Sequence, residues 1–490
     1  MPDFPDAVLA ESSVATAGTD DPALTDLRHL PFVTIDEWTS RDLDQALCLE
    51  EDGDNVVAWY AIADAAHFVP RTSALFREAL NRGASLYAPD GCTPMLPPRL
   101  SEGLCSLNPN EDRRAFVWRM VVSPAGDCVA SSIVRACIHS RAKLAYDGVQ
   151  EWFDGVRPDP SEDPAVLVSL RLLPVFGDRR LRNAAERHVV RYRRAEIEFT
   201  LDRKARFVAV RDDRNDVERF NEQLSLLCNT EGALALQRAD PSNVQPIYRV
   251  HEPPPEVRLD RFEAQVAALV RLHDLDPATW GWTREWGPLA SWLDGLPVDG
   301  VARAIHRQAI MLNNRSTFAA TPGPHHGVGA PVYARFSAPM REAVGVYLHG
   351  ELVEALTGET LPLPPGRDAE GLRTAVLRAA QMGRDNQRTL DREVNRAALD
   401  QLLGRRVGTD LPGTVMGVGK GRVYVQLDDP PVDVKVYTRH LASGARPDGL
   451  DTALVGADGA VVARLGDRVQ VRVVGPDRDS DRWALDLRRA

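Results

Sequence analysis

Residues 34–47 read Thr-Ile-Asp-Glu-Trp-Thr-Ser-Arg-Asp-Leu-Asp-Gln-Ala-Leu and hold three aspartates within nine residues, between apolar runs. Such runs read as strands, so Asp36, Asp42 and Asp44 belong to a strand-to-loop transition. Carboxylates crowded this closely repel one another unless a cation lies among them. Hard divalent ions such as magnesium take oxygen ligands, which carboxylates on a turn supply. The stretch therefore reads as a metal site for phosphoryl or phosphodiester chemistry, or as a solvated acidic turn. The rest of the chain has to decide.

A chain of 490 residues holds two or three domains and a large core. Its apolar share of 44% is ordinary, and no segment is long and apolar enough to span a bilayer. The first two dozen residues are acidic and polar, which argues against a secretory signal; residues 1–29 read as a flexible leader. Six cysteines, at positions 48, 92, 105, 128, 137 and 228, show no Cys-x-x-Cys spacing, so no zinc or redox framework follows. They fit isolated thiols in a cytoplasmic protein. A net charge of −11 argues mildly against non-specific coating of nucleic acid and leaves a local basic channel open.

From about residue 30 to 150 short β-like runs alternate with loops, among them residues 56–64 and 116–122, with a short helix over 74–82. Pro97-Pro98 forbids helix or central strand, so residues 93–99 form an ordered loop. Helical composition or periodicity marks residues 178–194, 220–238, 259–273, 301–311 and 369–404. From residue 408 onward Val, Gly and Asp dominate. β-like runs recur at 414–418, 422–427, 432–437, 461–465, 469–474 and 483–487, spacing that fits a small barrel. The Gly-x-x-Val-Tyr-Val-x-Leu run at 419–427 and Leu-Gly-Asp-x-Val-x-Val at 465–471 resemble an S1-type OB-fold.

Four further blocks follow the aspartates. They are Leu86-Tyr87-Ala88-Pro89 with Pro94-Met95-Leu96-Pro97 and Leu104-Cys105-Ser106-Leu107, then residues 140–146, 246–254 and 333–341. With the Thr-Ile-Asp opening, their order resembles the ribonuclease II family. That resemblance implies an α/β (α+β) RNB catalytic domain with helical closure over 30–405 and an S1-like OB-fold RNA-binding domain over 406–490. The chain looks like a shortened form lacking the family's N-terminal cold-shock domains.

The implied function is a hydrolytic 3′→5′ exoribonuclease, degrading single-stranded RNA to nucleoside 5′-monophosphates with Mg2+, one or two ions, Mn2+ being a substitute. The alternative is a catalytically weakened or inactive RNB-fold RNA-binding or regulatory protein. On the family pattern Asp36, Asp42, Asp44 and Arg341 are catalytic, and the three aspartates are metal ligands. Gln45 stands where a fourth aspartate would be, and an amide is the weaker ligand. Tyr87 matches the tyrosine packing near the terminal nucleotide. Arg99, Lys143, Tyr146, Arg249 and Ser337 are assigned to RNA, as are Lys420, Tyr424, Lys435 and Tyr437 on the barrel. Asn395 lies near the family's Glu-Arg element in the closing helix. The expected partner is single-stranded RNA, with no membrane and no small-molecule cofactor; the expected state is a cytoplasmic monomer.

Overall fold

The computed structural model describes residues 3–190, 196–212, 214–240, 244–441, 445–477 and 482–489. Its central sheet has six strands in the order Thr25–Asp26, Cys128–Ala145, Phe32–Asp36, Gln45–Asp52, Asn55–Ala63 and Asp112–Val122. The 18-residue strand Cys128–Ala145 pairs parallel with Phe32–Asp36 and antiparallel with Asp112–Val122, so five of the strands close on themselves. Phe32, Val33, Tyr60, Ile62, Phe116 and Trp118 fill the interior. Strands covered on both faces read as continuous apolar runs, and these do.

Helices cover this sheet. Asn215 caps Asp216–Arg238 through a capping box with Glu218. The charged stretch 178–194 proves to be the second half of a longer helix, Pro164–Glu186, which starts with Pro164 behind the Asp163 cap and runs through Pro174; residues 191–194 lie outside the described residues. A 36-residue helix, Ala369–Gly404, capped by Asp368, closes the domain as one unbroken element. Among the described residues no helix is long and apolar enough to cross a membrane.

Two regions differ from expectation. Residues 3–29 are not a loose leader. Helix Asp6–Val14 packs beside Ala74–Arg82, and the Glu11 carboxylate accepts from the N–H groups of Ala74 and Leu75 at that helix's N-terminus, 2.9 and 3.0 Å. The guanidinium of Arg82 lies 3.8 Å from the Phe4 ring centroid. A polar composition hid this anchoring because tertiary hydrogen bonds, rather than apolar area, supply much of it.

The C-terminal unit shares its core with the helices that precede it. Strands Asp410–Gly419, Arg422–Leu427, Asp433–Tyr437, Arg468–Asp477 and Arg482–Arg489 form one antiparallel sheet, backed by a three-stranded sheet over 446–464. Its buried Val415, Val423, Val425, Val434 and Val471 share one core with Phe262, Val266, Trp280, Leu293 and Ile305 from helices over 256–310. Gly300 packs against the carbonyl of Gly466, where a Cβ would lie 2.9 Å from the oxygen. Removing residues 408–490 would expose that shared apolar face.

Candidate active site

Asp36 ends strand Phe32–Asp36, and its Oδ1 accepts from the Glu37 N–H at 2.7 Å and the Ser40 hydroxyl at 2.9 Å. The loop after it carries Trp38, 81% exposed. Asp44 enters the next strand and is 1% exposed. Its Oδ1 accepts from the Met340 N–H at 3.1 Å and its Oδ2 from Arg341 Nε at 2.7 Å. Burial pushes the Asp44 carboxyl up to about 6 despite the Arg341 charge, and Asp42 raises it further. Asp42 is also raised, first by burial and then by Asp36 and Glu102, against the pull of Arg341. No side chain among the described residues donates a hydrogen bond to Asp42. Burial opposes the charge of Arg341, yet Asp44, Asp42 and Asp36 outweigh it and raise its pKa.

The sequence blocks turn out to be the scaffold of this loop. Ser106 Oγ accepts from the Leu43 N–H at 3.0 Å and donates to the Arg41 carbonyl at 2.8 Å, while the Leu107 N–H donates to the Leu43 carbonyl. The Leu-Cys-Ser-Leu element thus holds Asp42 and Asp44 in register. The Arg341 segment is tied to the Tyr87 segment by Ser85 N–H to the Arg341 carbonyl, 2.9 Å, and Ala343 N–H to the Gly83 carbonyl, 3.0 Å. Gly83 has φ of 76°, and a Cβ there would lie 2.3 Å from the Ala379 carbonyl of the closing helix, so this close approach requires glycine. Past it, the Tyr87 backbone exchanges two 2.9 Å hydrogen bonds with the Gln387 side chain, leaving the ring 46% exposed.

The structure redistributes several expected roles. Gln45 Nε2 donates to the Ser337 carbonyl at 2.7 Å, and its Oε1 accepts from the Tyr60 hydroxyl, so the amide braces the Ser337 segment. Ser337 itself is buried, its hydroxyl engaged by Ser225 and Asn229. Arg99 donates to the Ser12 and Ala15 carbonyls and anchors the N-terminal segment instead of a channel. Lys143 Nζ donates to the Trp38 and Ser40 carbonyls and pins the loop between Asp36 and Asp42. Tyr146 is half-buried, its hydroxyl accepting from Asn221 at 3.0 Å.

Asn395 is exposed and bonded to its own helix at the Asp391 carbonyl; Gly383, Arg384 and Gln387 of that helix reach the site cavity instead. On the C-terminal sheet Lys420 and Lys435 are exposed, and Tyr424 and Tyr437 share the outer face with Arg422. Guanidinium groups lie over both rings, Arg307 at 4.8 Å and Arg422 at 5.4 Å from Tyr424, Arg439 and Arg482 at 5.3 and 4.9 Å from Tyr437.

The donors suit a hard divalent ion, but they do not close round one. Among the described residues no three His, Cys, Asp or Glu side chains gather closely enough to hold a metal. Asp44 spends both oxygens on Met340 and Arg341. The ligand set that the resemblance implied is therefore not assembled in this arrangement. Gln45→Glu is expected to cost about 1–3 kcal/mol, because a carboxylate would replace the donor facing the Ser337 carbonyl. Thermal denaturation checks this, and an unchanged midpoint would remove the bracing role.

The sequence reading missed four residues here. A cavity of about 400 Å3 opens beside Arg341 and is lined by Tyr87, Arg249, Phe318, Arg335 and Arg384 among others. Arg335 pairs with Glu342. Phe318, Arg335 and Arg384 carried no local signal, since they meet only through the closing helix and the strand Thr317–Ala319. Asn229, 1% exposed, donates to the Tyr333 hydroxyl and Ser337 Oγ and accepts from the Phe336 and Ser337 N–H groups.

Comparison with known proteins agrees with this architecture. Ribonuclease R of Vibrio cholerae is 29% identical over 472 residues, 94% of this chain and 56% of that protein. Ribonuclease R of Escherichia coli is 29% identical over 475 residues, 94% and 57% respectively. The chain thus spans little more than half the length of these relatives. The structure of Mycoplasma genitalium RNase R with ribose-methylated single-stranded RNA superposes with a TM-score of 0.87 at 22% identity, covering 99% of this chain and 75% of that one. Yeast Ssd1, a pseudonuclease, superposes at 0.68 with 16% identity, covering 90% and 53%. The profile described as the RNB domain matches residues 24–358, and the chain belongs to that family.

Proposed function

We propose that this chain is a hydrolytic 3′→5′ exoribonuclease acting on single-stranded RNA and releasing nucleoside 5′-monophosphates. One observation carries the reading: Arg341 is held by the buried Asp44 at the wall of a cavity that also presents the exposed Tyr87 ring. A guanidinium fork beside a stacking face suits a phosphodiester and the base attached to it. Ribonuclease R and Exoribonuclease 2 among the relatives support the reaction class, and the RNA-bound RNase R structure supports the substrate.

In this reading Arg341 binds the scissile phosphate and offsets the charge that grows on its oxygens. Asp44 orients Arg341. Tyr87 stacks the terminal base, and Asp42, whose oxygens no side chain engages, faces the phosphate region. The outer tyrosines and lysines of the C-terminal sheet bind upstream RNA. Magnesium dependence is left to the assay, because the three carboxylates are not gathered round a site.

The test incubates purified protein with 5′-labelled single-stranded RNA and magnesium or manganese, beside Asp44→Asn. A ladder shortening from the 3′ end that disappears in the variant is the expected result. Tight binding without cleavage would instead favour an RNA-binding protein that has lost catalysis, a reading that Gln45 in place of a fourth acidic group keeps in play.

A further inference from the structure

The cavity beside Arg341 carries more positive charge than one phosphodiester needs. Four arginines line it. Arg341 is paired to Asp44 and Arg335 to Glu342, which leaves Arg249 and Arg384. These two lie against one aromatic ring, their guanidinium carbons 4.6 and 5.2 Å from the Phe318 centroid. Arg384 donates to the Ser316 carbonyl and Gln381, yet its Nε has no partner; nor has Nη1 of Arg249, and both atoms are buried. Two like charges on the lining of one cavity and beside one ring, each with an unspent buried N–H donor, are costly unless an anion offsets them. Burial first, then the charges of Arg384 and Arg335, lower Arg249 to about 10.

We infer that Arg249 and Arg384 form a pocket for a terminal phosphate, so that the protein engages RNA ending in a 3′-phosphate. The inference rests on the exoribonuclease reading above. There the terminal nucleotide stacks on Tyr87, and its own 5′-phosphate is the scissile one held by Arg341. Any other phosphate on that nucleotide is attached at its 3′ end. A phosphomonoester brings close to two negative charges and three acceptor oxygens, against one charge for a diester. Two guanidinium groups with free donors match the former.

The reaction remains hydrolysis. A water oxygen bonds to phosphorus, the bond to the 3′-oxygen of the penultimate nucleotide breaks, and that oxygen takes the proton. The first product is a nucleoside 3′,5′-bisphosphate, and the shortened RNA ends in a 3′-hydroxyl. The pocket therefore acts on the first cut alone; later cycles leave it empty of substrate phosphate.

The experiment compares one RNA oligonucleotide ending in 3′-phosphate, 3′-hydroxyl or 2′,3′-cyclic phosphate. Affinity is measured by filter binding in EDTA, and the first cleavage by single-turnover kinetics with magnesium. Wild-type protein should bind the 3′-phosphate form about ten-fold more tightly than the 3′-hydroxyl form, the worth of one or two charge-assisted hydrogen bonds. The cyclic form, with a single charge, should fall between them. In Arg384→Gln and Arg249→Gln the ratio between phosphate and hydroxyl ends should collapse towards one, with Arg384→Lys recovering part of it.

Circular dichroism of each variant guards against misfolding, and the two sites provide independent tests. Equal wild-type affinity for the three ends overturns the inference, as does a preference that survives both glutamine variants. Cleavage of the 3′-hydroxyl RNA without any phosphate preference would overturn the pocket and leave the exoribonuclease reading standing. A binding preference without cleavage of any RNA would sustain the pocket and sink that reading.

Discussion

Asp44→Asn is expected to abolish RNA hydrolysis and to remove the pH dependence that the buried carboxyl gives to folding. The carboxylate is buried and its pKa stands at about 6, although Arg341 already pulls it down. Its charged form is thus the costly one. A rise of this size over the ordinary carboxylate value corresponds to something on the order of 3 kcal/mol against folding at neutral pH. Asparagine removes that charge but keeps a single acceptor oxygen, which serves the Met340 N–H or Arg341 Nε and not both, so the lost hydrogen bond offsets part of the gain.

Between the unfolded and folded pKa values the folded state binds more protons. The stabilisation is therefore fully present below about pH 3.8 and lost as the pH rises through about 6. Melts of wild type and variant from pH 4 to 7, in EDTA, should diverge in that window, the variant gaining on wild type as the pH rises. Turnover should fall by about 10²–10³-fold or more, since Arg341 loses the charge that positions it. Parallel pH profiles would contradict the account.

Asn229→Ala is expected to be the most destabilising single change around the site. One side chain satisfies two backbone N–H groups, of Phe336 and Ser337, and two hydroxyls, all buried with it. Alanine cannot accept from either N–H, and burying unsatisfied groups costs about 1–3 kcal/mol each, so a loss of about 2–6 kcal/mol follows. The same segment carries Met340 and Arg341, so kcat should fall with it while affinity for long RNA changes little. Urea denaturation with single-turnover cleavage and filter binding checks both parts. A change within about 0.5 kcal/mol, the range of ordinary surface substitutions, would show that the segment is held by other contacts.

Several parts of this arrangement could be read along the chain because their signals are local. Thr34-Ile35-Asp36 ends one strand and Asp42-Leu43-Asp44 leads directly into the next. The proline loop and Leu-Cys-Ser-Leu are contiguous, and the alternation of buried Val423, Val425 and Leu427 with Arg422 and Tyr424 follows the period of a strand. The closing helix was legible from composition over its whole length. Roles assigned to single basic residues fared worse. Arg99 and Lys143 have the charge an RNA channel needs, and nothing local distinguishes them from residues whose donors end on backbone carbonyls.

Periodicity, turn chemistry and motif order, all encoded between near neighbours, determined by themselves the strand–loop–strand frame of the aspartates, the helical closure and the strand-rich C-terminal unit. What the aspartates do in that frame was decided by tertiary structure. Arg341 lies 297 residues from Asp44 and reaches its Oδ2 at 2.7 Å, and Gln387 lies 300 from Tyr87. Arg249 and Arg384 meet only across Phe318. Charge pairing, burial and the count of unspent donors depend on which distant groups the fold brings within a few ångströms, and no spacing in the chain records that.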